Sequence, residues 1–169
     1  MTSSNGSAAI QLLKLSGFDP IITTASPHNA DLLKPAGATH VLDRKLSSEA
    51  LSAEIKKIAF KPIKTIYDAA GTPETQNLGY ELLAPGGVLA CVRPEQLPAT
   101  KLVPEKKAFW MMGSVHHPQN HKFSAGLYAK LSSLLEEGAL RVRFEVQRPF
   151  VKRVADNAAA ACPGRGGTW

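Results

Sequence analysis

Between residues 7 and 137 the chain alternates short β-branched segments with amphipathic ones, and this alternation limits its fold more than any single motif. Ala9, Ile10, Leu12, Leu13 and Leu15 recur at helical spacing, and Gly17 follows as a stop. Residues 20–24, Pro-Ile-Ile-Thr-Thr, are short and β-branched, which predicts a strand. Residues 28–34 read as a helix behind Ser26 and Pro27, ended by Pro35-Ala36-Gly37, and residues 39–42 read as a second strand. Residues 47–59 place Leu51, Ile55 and Ile58 on one helical face behind Ser47. A third strand is predicted at 63–67, followed by a helix at 72–83 with Thr72 as cap and Pro73 at its first position. Pro85-Gly86-Gly87 turns the chain into a strand at 88–92. A strongly apolar fifth strand at 108–115 and a helix at 121–137, with Leu127, Leu131, Leu134 and Leu135 inward, complete the series. Repeated strand–helix–strand units predict a parallel sheet covered on both faces. With right-handed crossovers this is a doubly wound, Rossmann-like α/β fold in a single domain, residues 1–140, followed by an atypical basic segment, 141–169.

Composition excludes several classes of function. No apolar run reaches the roughly 20 residues that span a bilayer, and the N-terminus lacks the basic-then-apolar order of a secretory signal, so a cytoplasmic location is expected. Cys91 and Cys162 stand far apart without ligand spacing, and Cys91 lies in an apolar run that predicts a buried, inert thiol. The net charge of +6 is concentrated after residue 138, where six basic residues face Glu145 and Asp156. A basic tail can hold polyanions, but no aromatic–basic interleaving accompanies it, which argues against nucleic acid.

Four stretches carry a family resemblance. Ser3-Ser4-Asn5-Gly6-Ser7-Ala8-Ala9-Ile10 resembles the phosphate turn and first helix of the medium-chain dehydrogenase/reductase superfamily. Residues 24–29 (Thr-Ala-Ser-Pro-His-Asn), 37–43 (Gly-Ala-Thr-His-Val-Leu-Asp) and 68–75 (Asp-Ala-Ala-Gly-Thr-Pro-Glu-Thr) follow in that family's order and spacing. The chain is most similar to its fungal zinc-binding-dehydrogenase-like branch, which includes trans-acting enoyl reductases, from about Ser3 to Leu140. The resemblance implies the NADP(H)-binding domain of a reductase. Backbone N–H groups at the first helix would face the pyrophosphate, with Gly6 permitting close approach and Ser3, Ser4 and Ser7 adding hydroxyls. After the next strand, Ser26, His28 and Asn29 offer donors to a 2′-phosphate, with no carboxylate before Asp31. Arg44 stands where the family often has tyrosine, and a guanidinium suits the same phosphate. By resemblance only, Ala70, Gly71, Gly113 and Ser114 lie near the ribose and nicotinamide.

Simpler readings compete at several positions. Ser26 and Asn29 are ordinary helix-start residues that can serve as caps. His40 reads as a packed or hydrogen-bonded core histidine. His116, His117 and His121 have no neighbouring cysteine or carboxylate, and no metal site is expected. Trp110, Met111 and Met112 belong in a core or at a subunit edge, and the resemblance implies a homodimer paired through 108–115.

Two parts of the family pattern have no counterpart. Nothing corresponds to the N-terminal substrate domain, and only Met1-Thr2 stands where the first, central strand of the order 3-2-1-4-5-6 belongs. The expectation is that the two halves close on each other, that another segment fills the slot, or that the chain alone is unstable. The alternating residues 143–147, Arg-Phe-Glu-Val-Gln, are one candidate filler and a partner chain is another. The ending Ala-Ala-Cys-Pro-Gly-Arg-Gly-Gly-Thr-Trp matches none of the family's Ser-Gly-x-Lys-Leu-Val close. Catalytic residues are not assignable, so the functional expectation is NADP(H) binding without full hydride transfer by this chain alone. The rival expectation is a non-catalytic interaction protein that acts through its surface or tail. A gene fragment without selected function is a third.

Overall fold

The computed structural model describes residues 4–141, apart from the side chain of Ser4. Five α-helices and five short strands alternate through these residues, except that only a short 3-10 turn separates the fourth strand from the fifth. Helix α1 (Ser4–Leu15) leads into β1 (Ile22–Ala25), α2 (Ala30–Ala36) and β2 (His40–Asp43). Then come α3 (Ser48–Ile58), β3 (Thr65–Asp68), α4 (Pro73–Leu82), β4 (Val88–Cys91), β5 (Lys107–Trp110) and α5 (His121–Glu136). Every strand pairing is parallel, as alternating strands and helices require.

The caps explain several helix starts. Ser47 accepts a hydrogen bond from the Ala50 backbone N–H at 3.2 Å, fixing the start of α3. Thr72 and Thr75 form a reciprocal capping box on α4, whose first residue is Pro73. At Gly37 the backbone turns with φ +126°, closing α2 through a hydrogen bond from its N–H to the Lys34 carbonyl.

The strands form two sheets among the described residues. One is β1–β2, with Ile22 opposite His40, and the other is β3–β4–β5, with Thr65 opposite Val88 and Val88 opposite Lys107. The two halves therefore do not close on each other through strand pairing, which removes the first expectation for the central gap. Residues 143–147 lie outside the described residues.

Each half has its own core. Ile10, Ile21, Ala25, Leu33 and Ala38 cluster around β1 and β2, and Tyr80, Leu83, Leu89 and Cys91 cluster around β4. Burial follows position in the sheet. Leu89 and Cys91, on the middle strand of three, are fully buried. On β1 only Ala25, and on β3 only Asp68, is buried.

The structure corrects four local expectations. Strand β5 ends at Trp110, so residues 111–115 are not strand, and Asn120 instead pins the Met112 and Ser114 carbonyls through its Nδ2. Helix α5 has no buried residue: Leu131 and Leu134 are half-buried, while Leu127 and Leu135 are exposed. His40 is exposed and shares a 3.0 Å hydrogen bond with the Thr39 hydroxyl, so it is not a core residue. Trp110, the last residue of β5, and Met112 are each 41% exposed, which removes the core alternative for them and leaves the edge one.

Candidate functional site

Parallel strands send all their following loops to one edge, and in open α/β sheets ligands bind along that edge. In the first sheet this edge carries Ser26 after β1 and Arg44 after β2. The two are adjacent, because the Arg44 N–H donates to the carbonyl of Ala25 at 3.0 Å. Helix α1 is joined to β1 by residues 16–21 and packs on its core through Ile10. It thus runs back along the strand and brings its first turn toward the same edge. Ser4, Gly6 and Ser7 lie in that first turn itself, rather than in a loop ahead of it as the sequence suggests. Ser3 lies outside the described residues. The first turn of α1 contains no acidic residue of its own.

The alternative reading of Ser26 and Asn29 as caps fails in the structure. Both occupy N-cap positions, Ser26 before the short 3-10 turn Pro27–Asn29 and Asn29 before α2, and neither side chain makes a capping hydrogen bond. Asn29 is buried, whereas His28 is exposed. The carboxylate of Asp43, at the end of β2, accepts the Lys45 backbone N–H at 3.0 Å and so stabilises its own turn. Arg44 and Lys45 follow it, and both are exposed. This corner thus carries two exposed cations beside a carboxylate that gives one oxygen to its own turn.

In the second sheet, Ala70 and Gly71 follow β3, and Gly113 and Ser114 follow β5 beyond two further residues. Asp68 builds the first of these loops. It is 7% exposed, and its Oδ1 accepts the N–H groups of Ala70 at 3.0 Å and Gly71 at 3.1 Å. Its Oδ2 accepts the Thr75 hydroxyl at 3.0 Å, which ties the loop to the capping box of α4. Gly71 has φ +67°, and a Cβ there would sit 2.8 Å from the side chain of Arg93. Glycine is thus required both by the backbone and by the close passage of Arg93. The Ser114 hydroxyl accepts the His116 N–H at 3.3 Å, and a Cβ on Gly113 would meet open space.

Three residues in this arrangement escape a reading of the sequence alone. Lys45 is legible only as a neighbour of Arg44, Arg93 only as a cation just past β4, and Asp68 only as the first residue of a resembling motif. Cys91 behaves as the sequence predicts. It is fully buried, and burial first, then Asp68 and Glu95, push its thiol up to about 11. Among the described residues no group of three or more His, Cys, Asp or Glu is placed to hold a metal, and no helix is long and apolar enough to cross a membrane.

Comparison with known proteins accounts for the arrangement. The chain is 32% identical over 157 residues to a trans-enoyl reductase of Gibberella zeae, covering 83% of this chain and 42% of that protein. It is 34% identical to a trans-enoyl reductase of Hapsidospora irregularis, covering 82% and 39%. The chain thus spans about two-fifths of the length of these relatives. Among solved structures, a zinc-binding-domain alcohol dehydrogenase of Burkholderia ambifaria superposes with TM-score 0.68 at 16% identity, covering 95% of this chain and 45% of that one. A mycobacterial protein complexed with NADPH superposes with TM-score 0.65 at 21% identity, covering 82% and 44%. At these identities the two superpositions establish the doubly wound fold. Residues 6–116, from the first turn of α1 through β5 and into the loop beyond it, match the model of one family, and by that match the chain belongs to the zinc-binding dehydrogenase family.

Proposed function

We propose that this chain forms the NADP(H)-binding part of an enoyl-reductase-type oxidoreductase. The observation that carries the reading is the corner where Ser26, Arg44 and Lys45 meet at the carboxyl ends of β1 and β2. NAD-preferring sites place a free carboxylate at the end of this strand to take the ribose hydroxyls. Here no acidic residue stands between the end of β1 and Asp31, and Oδ1 of Asp43, at the end of the neighbouring strand, accepts the Lys45 backbone N–H of its own turn. The residues therefore fit a 2′-phosphate. Ser26 would donate from its hydroxyl, and Arg44 and Lys45 would neutralise the charge. The first turn of α1, with Gly6 and Ser7, would face the pyrophosphate. The loops at Ala70–Gly71 and Gly113–Ser114 would line the ribose and nicotinamide end. His28 and Asn29 flank Ser26 and complete the wall on that side.

Bound NADP(H) supplies a hydride. The protein's residues named above bind and orient it. Relatives with more than twice this length are trans-enoyl reductases by name, and the substrate side of the reaction is assigned to the portion this chain does not share with them. The exposed Phe109 and Trp110 on β5 are assigned to pairing with a second copy.

Calorimetric titration with NADPH and NADH tests the reading. NADPH is expected to bind at least about tenfold more tightly than NADH. The double variant Arg44→Glu, Lys45→Glu is expected to abolish that preference. Equal affinity for the two nucleotides, or heat no larger than dilution with both, would refute it.

A further inference from the structure

We propose that the loop joining α3 to β3 is a peripheral contact for an anionic lipid surface, with Phe60 entering the interface and the lysines around it meeting the headgroups. The loop lies at the amino ends of the strands, opposite the carboxyl edge assigned to the nucleotide. The proposal therefore stands whether or not a dinucleotide binds.

Phe60 is the first observation. It is 95% exposed, more than any other large apolar side chain among the described residues. Its loop is held at both ends: the Ala59 N–H donates to the Ile55 carbonyl and the Ala84 N–H to the Ile63 carbonyl, each at 2.8 Å. Ile58 and Ile63 on either side are half-buried, while Phe60, Lys61 and Pro62 face solvent. A single exposed apolar residue is common on protein surfaces. What distinguishes this one is the charge around it.

Lys56 and Lys57 end α3, and Lys61 and Lys64 lie in the loop; all four are exposed. No acidic residue occurs from 55 to 67. Lys64 reaches across the next turn, its Nζ 3.4 Å from where a Cβ on Gly86 would sit. The Lys107 N–H donates to the neighbouring Gly87 carbonyl at 3.0 Å, so Lys107, at the start of β5, joins the same end of the sheet. The carboxylates there are Glu54, paired with Lys57 at 2.6 Å, and Glu105. Among the described residues Lys56, Lys61, Lys64 and Lys107 form no ion pair. Lys56 and Lys57 suit the negative dipole end of α3. That accounts for neither Lys61 and Lys64 beyond the helix nor the ring between them.

The composition of the patch selects its partner. Its cations are all lysine, a flexible point charge that meets phosphate headgroups in any orientation. Protein interfaces favour arginine and are depleted in lysine. A specific protein contact also needs roughly 800 Å² on each side, whereas the apolar part here is one ring beside Pro62. A lipid interface asks less. The ring dips below the headgroups, the lysines extend along them, and the two weak contributions add.

The full 169-residue chain is sedimented with vesicles of phosphatidylcholine alone or containing about 30 mol% phosphatidylserine. Binding to the anionic vesicles only is expected, weakening as salt rises. Lys61→Gln with Lys64→Gln is expected to weaken it by at least about tenfold, and Phe60→Ser by about tenfold. All three side chains are exposed, so circular dichroism should show an unchanged fold. Phe60→Trp should keep binding, and its added emission over the parent should shift to the blue with anionic vesicles. Arg148→Gln, Lys152→Gln and Arg153→Gln together should leave the dependence on Phe60 intact. Failure to sediment, equal binding to neutral vesicles, or an unaffected Phe60→Ser variant would each overturn the proposal. So would loss of binding on neutralising residues 148, 152 and 153 but not 61 and 64. Tighter binding to soluble polyglutamate than to vesicles would assign the patch to an acidic protein instead.

Discussion

Asp68 offers the most direct test of how the second sheet holds its loop. Its carboxylate accepts two backbone N–H groups and one hydroxyl, at 3.0, 3.1 and 3.0 Å, while only 7% exposed. A hydrogen bond to a charged group contributes a net ~1.5–3 kcal/mol, and three on one carboxylate do not add in full. Asp68→Ala is therefore expected to cost about 3 kcal/mol, because it leaves the Ala70 and Gly71 amides facing a space without an acceptor. Asp68→Asn keeps the Oδ1 position, and with it both amide bonds, and is expected to cost about half as much. Urea unfolding followed by far-UV circular dichroism measures both. The midpoint should fall in the order parent, Asn, Ala, with an unchanged slope. In a thermal melt the alanine variant should drop by roughly 6–12 °C, at about 2–4 °C per kcal/mol for a domain of this size. An alanine variant within about 0.5 kcal/mol of the parent would refute the argument. So would an asparagine variant as damaged as alanine, because charge rather than acceptor geometry would then be the cause.

Two further outcomes follow from the same region. Gly71→Ala is expected to lose about 1–2 kcal/mol from its left-handed backbone alone. Adding Arg93→Ala should relieve the steric part but not the backbone part, and full recovery in the double variant by urea unfolding would contradict this. Cys91 should stay unalkylated by iodoacetamide at pH 8 in the folded protein, because a thiol raised to about 11 is almost wholly neutral there and is fully buried. Its reaction should begin only as pH climbs toward that value or as the protein unfolds. Rapid labelling of Cys91 at pH 8 under native conditions, read by peptide mass spectrometry, would disprove it.

The cause of the partial burial along β1 and β3 lies in sheet position rather than in the residues. β3 reads Thr-Ile-Tyr-Asp and β4 Val-Leu-Ala-Cys, and both are adequate buried strands by composition. Among the described residues only β4 has a paired neighbour on each side, and it is the one strand there with two residues completely enclosed.

The sequence alone determined the element order. Apolar spacing, the Ser47 and Thr72 caps, Pro73 and the glycine stops are local signals, and each acts over three or four residues whatever the rest of the chain does. The same holds for the inert thiol of Cys91, since an apolar run commits it to the interior. Tertiary structure decided what depends on neighbours distant in the chain. The apolar segment 108–115 yields only a four-residue strand, because pairing with β4 stops at Trp110 and Asn120 captures the carbonyls beyond. The leucines of α5 carry a helical stripe, yet no surface among the described residues buries them. That the side chains of Ser26 and Asn29 stand at N-cap positions yet make no cap hydrogen bond is also something local spacing does not specify. Likewise, Arg93 meets Gly71 only because β3 and β4 lie side by side, a contact between loops 22 positions apart that no short window of sequence contains.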